Sequence, residues 1–546
     1  MRLGAVPLTV LLAATLAAQQ RSAPTFRSNV NAVTLDVRVV DDHGQFVPDL
    51  SKDDLLLFED GVQQTLTAFD LVNIPVRADM RPSEGTAPVD ADTASNDIAA
   101  EQRLYILVLD DLRTEPTRSA SVKAQARDFI EHRFAEGDRA VVVTTSGRKG
   151  LVQEFTNNRQ RLIEAIDKFE AGFDARVKCA SDSGECACND DRTSYHLLSG
   201  VAQWLLPVKG QRKSLLFFGE GDTVGGRPSD PPADIVDPLG AGDAELAAWR
   251  RNDPAAAASC AGVVEDRKEA AEYAARADMT VYPVDPRRNV DAELARIVDD
   301  TSSYYLLGYV PTNDKHDGTF RKIEVRAKRP GLKTTARSGY TAPNEAPKKK
   351  APAGANPALT ELMATPVATP GLTMAVTAPA FRGSKGKASV EVVVDVAGSD
   401  LTAASTGARG VGKLELIEAV ADADGKVKAS ERGSLDMKLS AQTREAMADQ
   451  GLRVMSRLDV PPGKYLLRVA GADGSGNSKG SVQYDLDVPD FSKEPITMSG
   501  LTLSLASETR QPTTGSDKEW PKRFDHAPTA HRTFRAGDEL TVAGEA

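Results

Sequence analysis

Leu104-Tyr105-Ile106-Leu107-Val108-Leu109-Asp110-Asp111 is an unbroken apolar run that stops at two carboxylates. A run of this length with no polar face reads as a strand buried on both sides, the kind found in parallel sheets. Outward from it, Val122, Ala126, Phe129 and Ile130 recur at helical spacing, and 140–143 is a second apolar strand. Leu162, Ile163, Ile166 and Phe169 mark a helix, as do Leu197, Leu198, Val201, Trp204 and Leu205. A strand at 214–218, a helix at 269–277, a strand at 280–284, a short helix at 294–298 and a final strand at 304–310 continue the alternation. Strand–helix alternation with apolar strands predicts α/β architecture over 103–310: a parallel sheet with helices on both faces.

The flanks read differently. In 26–75, Val33, Leu35, Val37 and Val39 alternate with polar residues, Asp41-Asp42-His43-Gly44 supplies a turn, and 55–71 reads as a hairpin. This N-terminal β module has too few strands to close a core alone. Within 311–342, Lys322, Glu324 and Arg326 alternate with Ile323 and Val325. The two stretches are therefore expected to pack together, which makes the α/β domain an insertion in one β module. The segments 76–102 and 343–370, rich in Ala, Pro, Ser and Asp or Lys, read as linkers. A further Pro/Gly-rich stretch, 225–258, reads as a long surface loop. Residues 371–489 are all-β and predict a β-sandwich. Residues 490–546 read as a small, incomplete C-terminal β region leaning on that sandwich.

At 546 residues the chain is expected to hold about three to five domains. Its net charge of −11 makes a nucleic-acid partner a poor expectation. Aromatics are only 5%, so the cores must be aliphatic. The six His form no H-E-x-x-H pair, which argues against a His-rich metalloenzyme. Arg2 followed by an apolar stretch over 5–18 reads as a signal peptide cleaved before Gln19. No other stretch approaches a transmembrane length. The protein is thus expected to be exported, periplasmic or extracellular. Cys179, Cys186, Cys188 and Cys260 fit that compartment, where at least one disulfide is expected. A bridge between Cys186 and Cys188 is disfavoured by its tight ring. A thiolate metal site is the alternative for these residues, although C-x6-C-x-C is not a standard zinc spacing.

Ligands of open parallel sheets gather at the carboxyl ends of the strands. Three oxygen-rich segments are expected there: 110–114, 190–193 and 219–222. Such oxygens suit a hard cation, Mg2+ or Ca2+. The other reading is that these Asp and Thr residues cap helices and turns. Enzyme motifs fail on context. Leu112 stands where a phosphatase-like D-x-D needs its second Asp. Gly219-x-Gly221 leads into a Pro-rich loop rather than a helix. Gly476-Asn477-Ser478-Lys479-Gly480 lies in a turn between strands, not on a strand-to-helix elbow.

The order of elements is similar to that of von Willebrand factor type A (VWFA) domains. More specifically, 26–342 resembles a family of exported bacterial VWFA-related proteins. The matching residues include 37–50, 55–61, Leu107-Val108-Leu109-Asp110 and Tyr282-Pro283-Val284-Asp285. The most specific is Tyr304-Tyr305-Leu306-Leu307-Gly308-Tyr309-Val310-Pro311. Asp317-Gly318-Thr319-Phe320-Arg321-Lys322-Ile323, Arg329-Pro330-Gly331-Leu332 and Gly339-Tyr340 follow. The resemblance implies a metal-ion-dependent adhesion site of the form D-x-S-x-S with a distant Thr and a distant Asp. Asp110 matches the first Asp, Thr114 the second Ser, Thr193 the distant Thr and Glu220 the distant Asp. Leu112 replaces a hydroxyl ligand, so the implied site is degenerate and holds a cation weakly. The expected function is non-enzymatic binding or adhesion to a protein or cell-envelope partner. A hydrolase using the carboxylates at the sheet edge, and a purely structural envelope component, are the alternatives.

Overall fold

The strand Leu104–Leu109 is the middle of a five-stranded sheet, ordered Met279–Val284, Lys213–Phe218, Leu104–Leu109, Arg139–Thr144, Gln153–Thr156. The first four strands are parallel; the short edge strand Gln153–Thr156 is antiparallel. The computed structural model describes residues 33–74, 92–97, 103–172, 184–220, 262–342, 356–403, 411–506, 511–515 and 526–545, apart from short gaps at 136, 149–152, 209–210, 288–289, 338, 439, 475–477 and 494–495. The 1–18 segment, the 225–258 loop, Cys179 and Cys260 lie outside the described residues. Cys186 and Cys188 lie within the helix Gly184–Leu205, with their side chains outside the description.

Both faces of the sheet are covered. Leu104, Ile106 and Val108 pack with Tyr195, Leu198, Val201 and Leu205 of the helix Gly184–Leu205 and with Ala270 and Ala274 of the helix Val263–Arg276. Tyr105, Leu107 and Leu109 pack on the other face with Val122 and Ala126 of Ser119–Asp128, Leu162 and Ile166 of Arg159–Asp167, and Leu294 and Ile297 of Val290–Ser302. Every side chain of the strand leaves water, which stabilises by roughly 1.5–3 kcal/mol per large apolar residue and explains the absence of polar positions. The chain is therefore a mixed α/β protein, and its central sheet is parallel except at one edge. Gln153-Glu154-Phe155-Thr156 carries a single core residue, Phe155, too little pattern to read as a strand from sequence.

The strand at 304–310 does not close the parallel sheet, contrary to the sequence reading. Ser303–Tyr309 follows directly on the helix Val290–Ser302 and runs antiparallel between Val33–Val40 and Leu66–Asn73. The reason is packing: Tyr305, Leu307 and Tyr309 share a core with Leu35, Val37, Leu57, Ile323 and Val325. Lys333–Ala336 completes that sheet, and Gly339–Thr341, Phe320–Ala327, Leu55–Glu59 and Val62–Gln64 form the sheet opposite. The N–H of Ile74 donates to the carbonyl of Ser302 at 2.8 Å, so the chain leaves this module and returns to it at one point.

The region after 371 forms two facing sheets. One contains Met374–Thr377, Ala388–Val396 and Leu452–Val460; the other contains Val411–Ala421, Val427–Lys438, Gly463–Asp473 and Lys479–Val488. Both stretches read as linkers contribute structure to it. Ala94–Ser95 pairs with Met374–Thr377, and the buried Asn96 amide donates to Thr369 O at 2.8 Å and Leu372 O at 2.9 Å. The helix Pro357–Ala364 packs Leu359 and Leu362 on Ala470 and Ala472. At the C-terminal end, Thr502–Leu505 pairs only with Leu540–Ala543 among the described strands. Nearby, Thr529 Oγ1, Ala530 N, Gln511 Nε2 and Arg453 Nε all donate to the buried Asp395 of the sandwich.

One carboxyl breaks the apolar pattern of the sandwich. Glu418 lies on the same face of its strand as Leu414, Leu416 and Val420, and its side chain accepts from the Ser456 hydroxyl in the opposite sheet. Burial pushes its pKa up from 4.5 to about 7. The folded state thus holds a proton that the unfolded state releases. Stability from this group is present below about pH 4.5 and lost as pH rises through about 7. Glu418→Gln is expected to remove up to about 3 kcal/mol of that loss. Thermal denaturation across the range checks it: parent and variant curves that stay parallel from about pH 4 to about pH 8 reject it.

Candidate functional site at the carboxyl rim

Asp110 and Asp111 follow the central strand directly, and both are fully buried. Thr145, just past the neighbouring strand Arg139–Thr144, places its hydroxyl 2.9 Å from Asp110 Oδ1 and 2.8 Å from Asp111 Oδ1. A hydroxyl has one proton, so it donates to one carboxylate at a time. Asp111 has further donors, the backbone N–H of Ser146 at 2.8 Å and the Ser146 hydroxyl. Asp110 has only the Arg113 N–H, at 3.3 Å on Oδ1. Its Oδ2 is buried with no hydrogen-bond partner, and so is the Thr114 hydroxyl. Burial is the main reason the Asp110 pKa is pushed up to about 6.

The loop after Phe218 meets this carboxylate. A Cβ on Gly219 would stand 2.5 Å from Asp110 Cβ and 2.9 Å from Oδ2, so only glycine permits the approach. Glu220 accepts from the Glu115 N–H at 3.1 Å and forms an ion pair with Arg118. Arg113 pairs with Asp191 on the helix Gly184–Leu205, and Arg287 pairs with Asp285 at 2.8 Å. The rim thus joins the ends of four parallel strands, with each outer carboxylate held against a guanidinium.

Of the residues read from sequence, Asp110, Thr114 and Glu220 come together here. Thr193 is half-buried two residues beyond Asp191; 190–193 is not a loop but part of the helix, which starts at Gly184. Its apolar spacing becomes legible only from Tyr195, and the preceding turns carry polar residues. Thr145 and Ser146 were not singled out from sequence. The rule that pointed to Asp110, the carboxyl end of a parallel strand, applies equally to them. Asp110 Oδ2 and Thr114 Oγ1 are buried hard oxygens without partners, a donor chemistry that fits Mg2+ or Ca2+. Leu112 adds no oxygen, and among the described residues no three His, Cys, Asp or Glu side chains are grouped to hold a metal. No helix among the described residues is long and apolar enough to cross a membrane. In comparison with known proteins, the chain matches no family model and no curated protein.

The close approach at Gly219 is testable against a control. Gly219→Ala is expected to destabilise by about 1–3 kcal/mol through overpacking on Asp110. Gly200, inside the helix Gly184–Leu205, has open space where a Cβ would go. Gly200→Ala is expected to stabilise by about 0.5–1 kcal/mol. Chemical denaturation of both variants reads the two signs; equal shifts would show that the Asp110 contact sets no constraint.

Proposed function

We propose that this is an exported, non-enzymatic binding protein in which a VWFA-like domain, inserted in a β module, meets a protein or cell-envelope partner at the carboxyl rim of its parallel sheet. The strand order carries this reading. Numbered along the chain, the five strands stand in the order 5-4-1-2-3, with a short, reversed third strand. The order turns back between Leu104–Leu109 and Lys213–Phe218, and open α/β sheets bind their ligands in such a crevice. Asp110 and Gly219 touch at that position. A cation there would be held by Asp110 and Thr114 and would supply a positive centre for an oxygen ligand. With Leu112 in place of a hydroxyl, its binding is weak, and capture of the partner does not depend on it.

One observation favours a second reading. A buried carboxyl with a pKa near 6 has the proton affinity of a general acid or base, as a hydrolase would require. The two readings separate experimentally. Isothermal calorimetry of the purified protein with Mg2+ or Mn2+ should show at most millimolar affinity, and partner capture from envelope extracts should survive EDTA. Micromolar binding abolished by Asp110→Ala would replace the degenerate site with a metal-dependent one. Turnover of a hydrolysable substrate that is lost in Asp110→Asn would establish the enzyme.

A further inference from the structure

The rim has the acids of a cation site but balances them with its own arginines. Glu220 is about nine-tenths buried, and its carboxylate is paired with Arg118. Asp191, more deeply buried still, is paired with Arg113. Arg287 holds Asp285 and reaches the Glu220 carbonyl at 3.5 Å. Glu220 is the residue that would add a second carboxylate to Asp110 Oδ2 and Thr114 Oγ1. Its chain neighbour Gly219 lies against Asp110, and its own Oε2 accepts from the residue after Thr114.

We propose that Arg118 is a built-in cation: its guanidinium engages Glu220 and so keeps the rim closed to divalent metals. This rests on the binding reading of the same rim and adds the reason for its indifference to metal. Leu112 removes one ligand, but water can replace a missing ligand around Mg2+ or Mn2+. A positive charge seated on the remaining carboxylate cannot be bypassed in that way, because it repels the incoming ion as well as occupying its ligand. Arg113 acts alike on Asp191. The side chain of Arg118 is 37% exposed, so a substitution there removes the charge without opening a core.

The test measures Mn2+ binding to the full chain by electron paramagnetic resonance of the free ion, with circular dichroism to confirm folding. Arg118→Gln should bind Mn2+ about tenfold or more tightly than the parent, since a like charge close to the ion has gone. Adding Asp110→Asn should abolish the gain, and Arg118→Lys, which keeps the charge, should stay near the parent. If the parent binds weakly and Arg118→Gln is no tighter, the proposal is overturned while the degenerate-site reading stands. If Arg118→Lys gains as much as Arg118→Gln, charge is not the lock and the proposal also fails. If the parent already binds at micromolar levels, the degenerate-site reading itself is wrong.

Discussion

A buried ion pair at the foot of the central strand sets the geometry at its head. Arg103 is almost wholly buried and grips Asp138 with two hydrogen bonds, 2.8 Å from Nε and 2.7 Å from Nη2. Its third arm donates to Ser302 at 2.8 Å, and its carbonyl accepts from the Arg139 N–H at 3.0 Å. Breaking a buried pair leaves an uncompensated charge, at a cost of about 3–5 kcal/mol. The pair therefore disfavours any slip between Leu104–Leu109 and Arg139–Thr144, which run in register from Leu104 opposite Arg139 to Leu109 opposite Thr144. That register delivers Asp110 and Asp111 beside Thr145 and Ser146. A slip of one residue would turn each side chain to the other face of the sheet and dismantle the rim.

The same logic anchors the inserted domain to its neighbours. Where the chain re-enters the β module, Arg38 holds Asp299 at 2.6 Å and Asp300 at 3.0 Å. At the antiparallel edge, Arg161 is buried and pairs with Asp485 and Asp487 of the sandwich while donating to Tyr465 O at 3.1 Å. Thr156 also bonds Asp485, and Arg468 reaches Glu154 at 3.2 Å. Interfaces between domains are by default loose enough to move. Here separation would leave Arg161 and Asp485 without the partners that offset their desolvation, so the edge strand and the sandwich hold together or part as a unit. The reversed direction of Gln153–Thr156 is part of this arrangement, since its helix Arg159–Asp167 supplies Arg161.

The central sheet was legible because its strands are apolar on both faces, a pattern that little else produces. What sequence could not fix was strand ownership. Tyr304-Tyr305-Leu306-Leu307-Gly308-Tyr309 has the strand signal, but whether it pairs with Met279–Val284 or Val33–Val40 depends on contacts far along the chain, such as the Tyr309 hydroxyl on Glu59, 250 positions away. Ala94–Ser95 shows the converse. Its composition is that of a linker, yet one buried amide, Asn96, ties it to the sandwich through hydrogen bonds that no local pattern records. At the rim, Asp110, Thr114 and Glu220 were readable because each follows a strand of the expected type or matches the implied motif. The partners that set their behaviour, Thr145 for Asp110 and Arg118 for Glu220, come from the neighbouring strand end and from a short turn. Their roles depend on side-chain proximity rather than spacing.

Guanidinium and divalent metal both neutralise carboxylates, but they make different recognition devices. A metal leaves and returns with its concentration, and its affinity falls as its ligands take up protons. A guanidinium stays charged at every physiological pH and is covalently tethered. It presents its donors in a planar fork, while the incoming ligand of a metal binds along one open coordination direction. At this rim Arg113, Arg118 and Arg287 pair with Asp191, Glu220 and Asp285, and the buried Asp110 beside them retains an unshared oxygen. The arginine heads are partly exposed, whereas the Asp110 and Thr114 oxygens are sealed. Any solute approaching the rim therefore meets these ion pairs before the Asp110 and Thr114 oxygens. On the binding reading proposed above, a partner carboxylate that displaced Glu220 or Asp191 would leave that buried carboxylate without its guanidinium, so the affinity would have to come from the surrounding surface.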